Sequence, residues 1–179
     1  MTTLQITVMT CAYAIALAAA IYFTRAPSHR VVGALAGGGA AGCLGLSAMV
    51  LGQALGVWWI SLPSTPGVWA LFYVGFAISL SPIYLITWRV ARKFGWRGLA
   101  VCLIVVGVIG PPRDYLYAAI YPEWMVFAQG VAPIVADAAA YVGIVALGHA
   151  VMRLVAGPTR EDQLALRRGS VLTREDISG

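Results

Sequence analysis

Long apolar runs, separated by short polar stretches, organise this chain from its first residues onward. Five runs can be drawn: about Ile6–Thr24, Val31–Val57, Gly67–Trp88, Gly98–Gly110 and Val126–Leu154. Several of them approach or exceed the ~20 apolar residues that cross a bilayer. None shows the ~10-residue alternation of a membrane barrel strand. A backbone facing lipid has to satisfy its own hydrogen bonds, and a helix does so within one segment. The expected fold is all-α: an integral membrane bundle of five transmembrane helices over residues 1–156. Residues 157–179 are polar and read as a cytoplasmic tail, with Thr159 and the acids after it resembling an N-cap and first turn.

The polar stretches orient the bundle. Arg25 and Arg30 lie between the first and second runs, and Arg89, Arg92, Lys93 and Arg97 between the third and fourth. Arg153, Arg160, Arg167 and Arg168 close the series. The connection "WWISLPSTP" is uncharged, and the one after the fourth run sets Arg113 against Asp114 and Glu123. Bases therefore alternate with neutral or acidic connections. By the positive-inside rule this places the N-terminus outside and the C-terminus in the cytoplasm, in a bacterial-type plasma membrane. The first run has no Lys or Arg before Arg25, so it reads as a retained span and not as a cleaved signal.

Proline suggests where helices end. Pro111 and Pro112 are expected to break the fourth helix, leaving "DYLYAAIY" as an interfacial helix at the outer headgroups. Pro122 is expected near the start of the next helix. Pro133 is expected to bend the fifth helix and open a cavity.

Composition strengthens the membrane assignment. Hydrophobic residues make up 60% and charged residues 11%, with a mean hydropathy of +0.83. Soluble domains carry about 25% charged residues. The net charge of +5 comes from bases that flank apolar runs, which argues for cytoplasmic anchoring and against nucleic acid. Cys11, Cys43 and Cys102 all lie inside apolar runs without a C-x-x-C motif, so neither a disulfide nor a zinc site is expected. Only His29 and His149 are present, so no haem or other metal cofactor is expected. His149 reads as an interfacial residue.

Asp137 carries the most chemical information. It sits inside the fifth run, where an acid costs at least ~2.5–3.5 kcal/mol on insertion scales. It must face the bundle interior, either paired or neutral, and a neutral carboxylic acid in an apolar pocket can deliver a proton. Tyr141, four residues on, shares its helical face. Asp114 and Glu123 are the further candidate acids, which with Asp137 would form a group able to separate acid from base. Arg113 is a candidate partner for Asp114 or Asp137. Trp124, Tyr115 and Gln53 complete the expected substrate-binding set at the outer level. The second run crowds Gly33, Gly37, Gly38, Gly39, Gly42 and Gly45, a pattern that favours close helix packing.

The leading functional expectation is a small membrane-embedded enzyme with Asp137 as proton donor. It would isomerise, cyclise or hydrate a lipophilic, isoprenoid-like substrate. The second expectation is an accessory subunit of a membrane complex, and the third a small transporter acting as a homo-oligomer. An enzyme requires a cavity at the level of Asp137. A subunit requires a Gly-rich or apolar face left for a partner.

Overall fold

The computed structural model describes residues 3–61 and 66–157, so the expected helical tail lies outside the described residues. The elements in order are α1 (Thr3–Thr24), α2 (Ser28–Ala54), β1 (Trp58–Ile60), α3 (Pro66–Ile120), β2 (Met125–Phe127) and α4 (Ala132–Ala156). Four of these helices are long and apolar enough to cross a membrane. Among the described residues the fold is all-α apart from a two-stranded antiparallel ribbon, in which Trp58 pairs with Phe127 and Ile60 with Met125. The protein is an integral membrane protein whose apolar exterior, including Leu4, Ile15 and Phe23 on α1 and Val101, Ile104 and Val108 on α3, contacts a lipid bilayer.

α3 has 55 residues, and an unbroken helix of that length would be about 80 Å long. It is broken at Gly95, whose φ of 65° and ψ of −151° lie outside helical space. Only glycine adopts that backbone readily. The two arms, 66–94 and 96–120, return to one cavity: Ile83 and Arg113 both line it. A straight helix would hold those two residues about 45 Å apart.

The expected break at Pro111 and Pro112 does not occur, and the helix runs through both to Ile120. The two rings remove donors to the carbonyls four residues back. Membrane helices tolerate this where neighbouring elements support the backbone. Here Gly110 and Pro111 are buried, and Gly110 lies directly against the Tyr141 ring of α4. "DYLYAAI", Asp114 to Ile120, is accordingly the end of α3, and Tyr121 follows it. Pro122 lies in a turn before β2, not at a helix start. α4 begins at Ala132, later than the sequence pattern suggested, because Met125–Phe127 pairs as a strand. Pro133 falls in the first turn of α4, where its missing N–H has no helical partner to lose, so it does not bend the helix.

The glycines of α2 let it sit at the centre. Gly37 meets the Gly148 backbone of α4, and Gly38 meets the Ala77 carbonyl of α3. Around this contact lies a core of Ala34, Ala41, Leu80, Tyr84, Leu85, Trp88, Ile144 and Met152. Tyr84 is fully buried against Gly148 and donates to the Ile144 carbonyl at 3.1 Å. At the basic end, the buried Arg30 donates to the Gly157 carbonyl at 2.5 Å, and its guanidinium lies 5.6 Å from the Trp88 ring centroid. His149, expected at the interface, is instead buried and shares a 2.9 Å hydrogen bond with Thr87. Its helix turns that face inward against α3.

Candidate functional site

The bundle encloses a partly open cavity of about 230 Å³ between α1, α2, both arms of α3, the ribbon and α4. Most of its wall is apolar: Ile6 and Met9 from α1, Met49 from α2, Phe72, Phe76 and Leu80 from α3, and Ile144 from α4. Thr10 and Ser79 also face it, but each hydroxyl donates to its own helix, to Ile6 and Phe76 respectively. The ribbon closes one end with Trp58, Ile60 and Met125. Trp58 is held there by an Nε1 hydrogen bond to the Met49 carbonyl at 3.0 Å and by edge-on packing against Phe127.

One wall is polar. α4 presents Asp137, Ala140, Tyr141 and Ile144 on a single face, as helical spacing requires. The second arm of α3 brings Arg113 and Asp114 opposite. Arg113 donates from Nε and Nη2 to Asp114 Oδ1, at 2.9 and 2.8 Å. Tyr141 donates to Asp114 Oδ2 at 2.9 Å and accepts a further bond from Arg113 Nη2. Both Asp114 oxygens are therefore engaged. Arg113 also lies over the faces of Tyr117 and Tyr141. The pair is charge-balanced and its geometry is locked from two helices.

Asp137 is different. It is 6% exposed, and its Oδ2 is buried with no hydrogen-bond partner among the described residues. It stands about 7 Å along α4 from the helix start. That is shallower than its place in the apolar run suggested, because α4 starts late. It interacts electrostatically with Asp114 and Arg113, and with Tyr115. A buried carboxyl oxygen without a partner costs ~1–3 kcal/mol and calls for an explanation, a catalytic role being one.

The remaining expected residues lie elsewhere. Glu123 is exposed in the turn before β2 and does not line the cavity, so the three-acid group reduces to Asp114 and Asp137. Trp124 stacks on Tyr121 at 4.6 Å. Gln53 accepts from the Ile60 amide at 3.4 Å and so braces the ribbon. Tyr115 is not among the cavity-lining residues; it stacks on Phe127 at 4.1 Å, with its hydroxyl buried and unpartnered among the described residues. Tyr13 and Phe76 line the cavity without having been singled out in the sequence, and Trp58, which read as part of an outer aromatic belt, lines it too. Tyr13 carried a signal, since it is a tyrosine in mid-run and away from any interface. Among the described residues no three His, Cys, Asp or Glu side chains gather as a metal site would need.

Comparison with protein-family models, with curated proteins and with solved structures finds no match for this chain.

Proposed function

We propose that the protein is a small membrane-embedded enzyme performing acid/base chemistry on a lipophilic, isoprenoid-like substrate, with Asp137 as proton donor. The observation that carries this reading is the unpartnered, buried Asp137 carboxyl on the wall of an otherwise apolar cavity. A substrate double bond beside Asp137 takes its proton and becomes a carbocation, leaving the carboxylate as counterion. The cation then closes onto a second double bond to give a ring carbocation that loses a proton to Asp137, or loses a proton from the neighbouring carbon back to Asp137, or is captured by water to give a protonated alcohol that hands its extra proton to Asp137. These routes correspond to cyclisation, isomerisation and hydration. In the Arg113–Asp114–Tyr141 cluster Arg113 donates to Asp114 and Tyr141 and not to Asp137, which leaves the acid for the substrate.

The accessory-subunit reading is less well supported. It called for a Gly-rich or apolar face left for a partner: Gly33, Gly37, Gly38, Gly42 and Gly45 are buried, and the exposed apolar exterior is a surface that lipid covers equally well.

We further propose five crossings, with the N-terminus outside and the C-terminus in the cytoplasm of a bacterial-type plasma membrane. The break at Gly95 lies within the basic stretch Arg89–Arg97, where a turn on the cytoplasmic side is favoured. Each arm of α3 exceeds the ~20 residues that one crossing needs. Under this arrangement the cavity lies in the outer half of the membrane.

The test is incubation of the purified protein with a panel of isoprenoid lipids, with products read by mass spectrometry. Conversion by the parent but not by a folded Asp137→Asn variant is the expected result. No conversion by either, together with loss of a co-purifying partner from the variant, would sink the enzyme reading.

A further inference from the structure

We infer that this cavity binds stable lipophilic monocations, with the Asp137 carboxylate as their counterion. The inference rests on the cavity being the ligand site, but needs no turnover. Three charged residues line the cavity: Arg113, Asp114 and Asp137. The first two cancel through a 2.8 Å ion pair, and Tyr141 engages the second Asp114 oxygen. Arg113 directs its donors to Asp114 and Tyr141. An ionised Asp137 therefore leaves the cavity with one net negative charge and a buried oxygen that no side chain engages among the described residues.

The rest of the lining selects the kind of cation. Tyr13, Trp58, Phe72, Phe76 and Tyr141 contribute aromatic rings, whose faces attract cations. Thr10 and Ser79 are already bonded within their own helices. A guanidinium or polyamine would bring several N–H donors to a mostly apolar wall, and would bury those that meet no acceptor unsatisfied. A quaternary ammonium has no donors to satisfy. The cavity of about 230 Å³ takes such a headgroup, and because it is partly open it leaves a way out for an alkyl tail. Anionic lipophiles meet repulsion from the same charge. The carboxylate left after proton delivery would hold a carbocation in the same way, so a quaternary ammonium mimics the proposed intermediate.

The experiment measures equilibrium binding of radiolabelled octyltrimethylammonium to the purified protein in phosphatidylcholine nanodiscs, with empty discs subtracted. The competitor is its carbon isostere, in which a quaternary carbon replaces nitrogen. Saturable binding is expected that the isostere fails to displace and that Asp137→Asn weakens roughly tenfold or more. Arg113→Gln leaves Asp114 without its counterion and is expected to tighten binding, so the charge balance is read from a second side even where Asp137→Asn does not fold. Equal displacement by the isostere, unchanged affinity in folded Asp137→Asn, or no tightening in Arg113→Gln overturns the inference. Cation binding without isoprenoid conversion would overturn the catalytic reading and leave this one standing. Conversion without cation binding would do the reverse.

Discussion

Tyr141 on α4 donates to Asp114 Oδ2 on α3 at 2.9 Å, which ties the last helix to the second arm of α3 at the cavity wall. Tyr141→Phe removes that bond and the one accepted from Arg113, while the Arg113–Asp114 ion pair stays. The expected loss is about 1–2 kcal/mol, seen as a lower midpoint of thermal unfolding in detergent. Asp114→Asn should lower the midpoint further, because Arg113 then loses its charge partner as well.

Asp137→Leu is expected to move stability the other way. The substitution replaces a buried carboxyl that lacks a partner with an apolar side chain of similar size. The midpoint should rise, by the equivalent of about 1–3 kcal/mol, while isoprenoid conversion disappears. A fall in the midpoint would instead identify Asp137 as a structural clasp.

Gly148→Ala tests the centre of the bundle. Its new methyl would enter the Tyr84 ring, which is fully buried and bonded to Ile144. Overpacking of that kind costs about 1–3 kcal/mol. Unfolding measurements on the single variant and on Gly148→Ala combined with Tyr84→Ala should show partial recovery in the double variant relative to the sum of the two single effects.

The number of crossings is read by cysteine labelling, after the three native cysteines Cys11, Cys43 and Cys102 are replaced. Ser28 and Glu123 are both exposed. Five crossings place them on opposite faces of the membrane, whereas treating α3 as one crossing places them on the same face. Glu123→Cys is therefore expected to react with a membrane-impermeant maleimide in intact cells, and Ser28→Cys only after permeabilisation.

Much of the fold follows from the sequence because hydrophobicity is a local property. The apolar run ending at Thr24 and the Gly-rich run after it coincide closely with α1 and α2. Asp137 and Tyr141 were legible as a pair because helical spacing alone puts them on one face. Pro111 and Pro112 misled for the converse reason. Local rules count the lost hydrogen bonds but do not see Tyr141 packed against Gly110. The break at Gly95 falls inside the basic connection that separates the third and fourth apolar runs, because charged residues and a glycine interrupt hydrophobicity locally.

The sequence alone determined that this chain is a helical membrane protein with one acid buried in its last span, because the cost of exposing apolar side chains to water, or a carboxylate to lipid, depends on residue type and run length. Only the tertiary structure decided which polar groups meet. Asp114 and Tyr141 are brought together by the fold-back of α3, while Glu123, Trp124 and Gln53 are drawn off to a turn and a ribbon. Contacts between residues far apart in the chain depend on how helices pack and where they bend. That geometry left Asp114 satisfied by Arg113 and Tyr141, and left Asp137 facing the cavity.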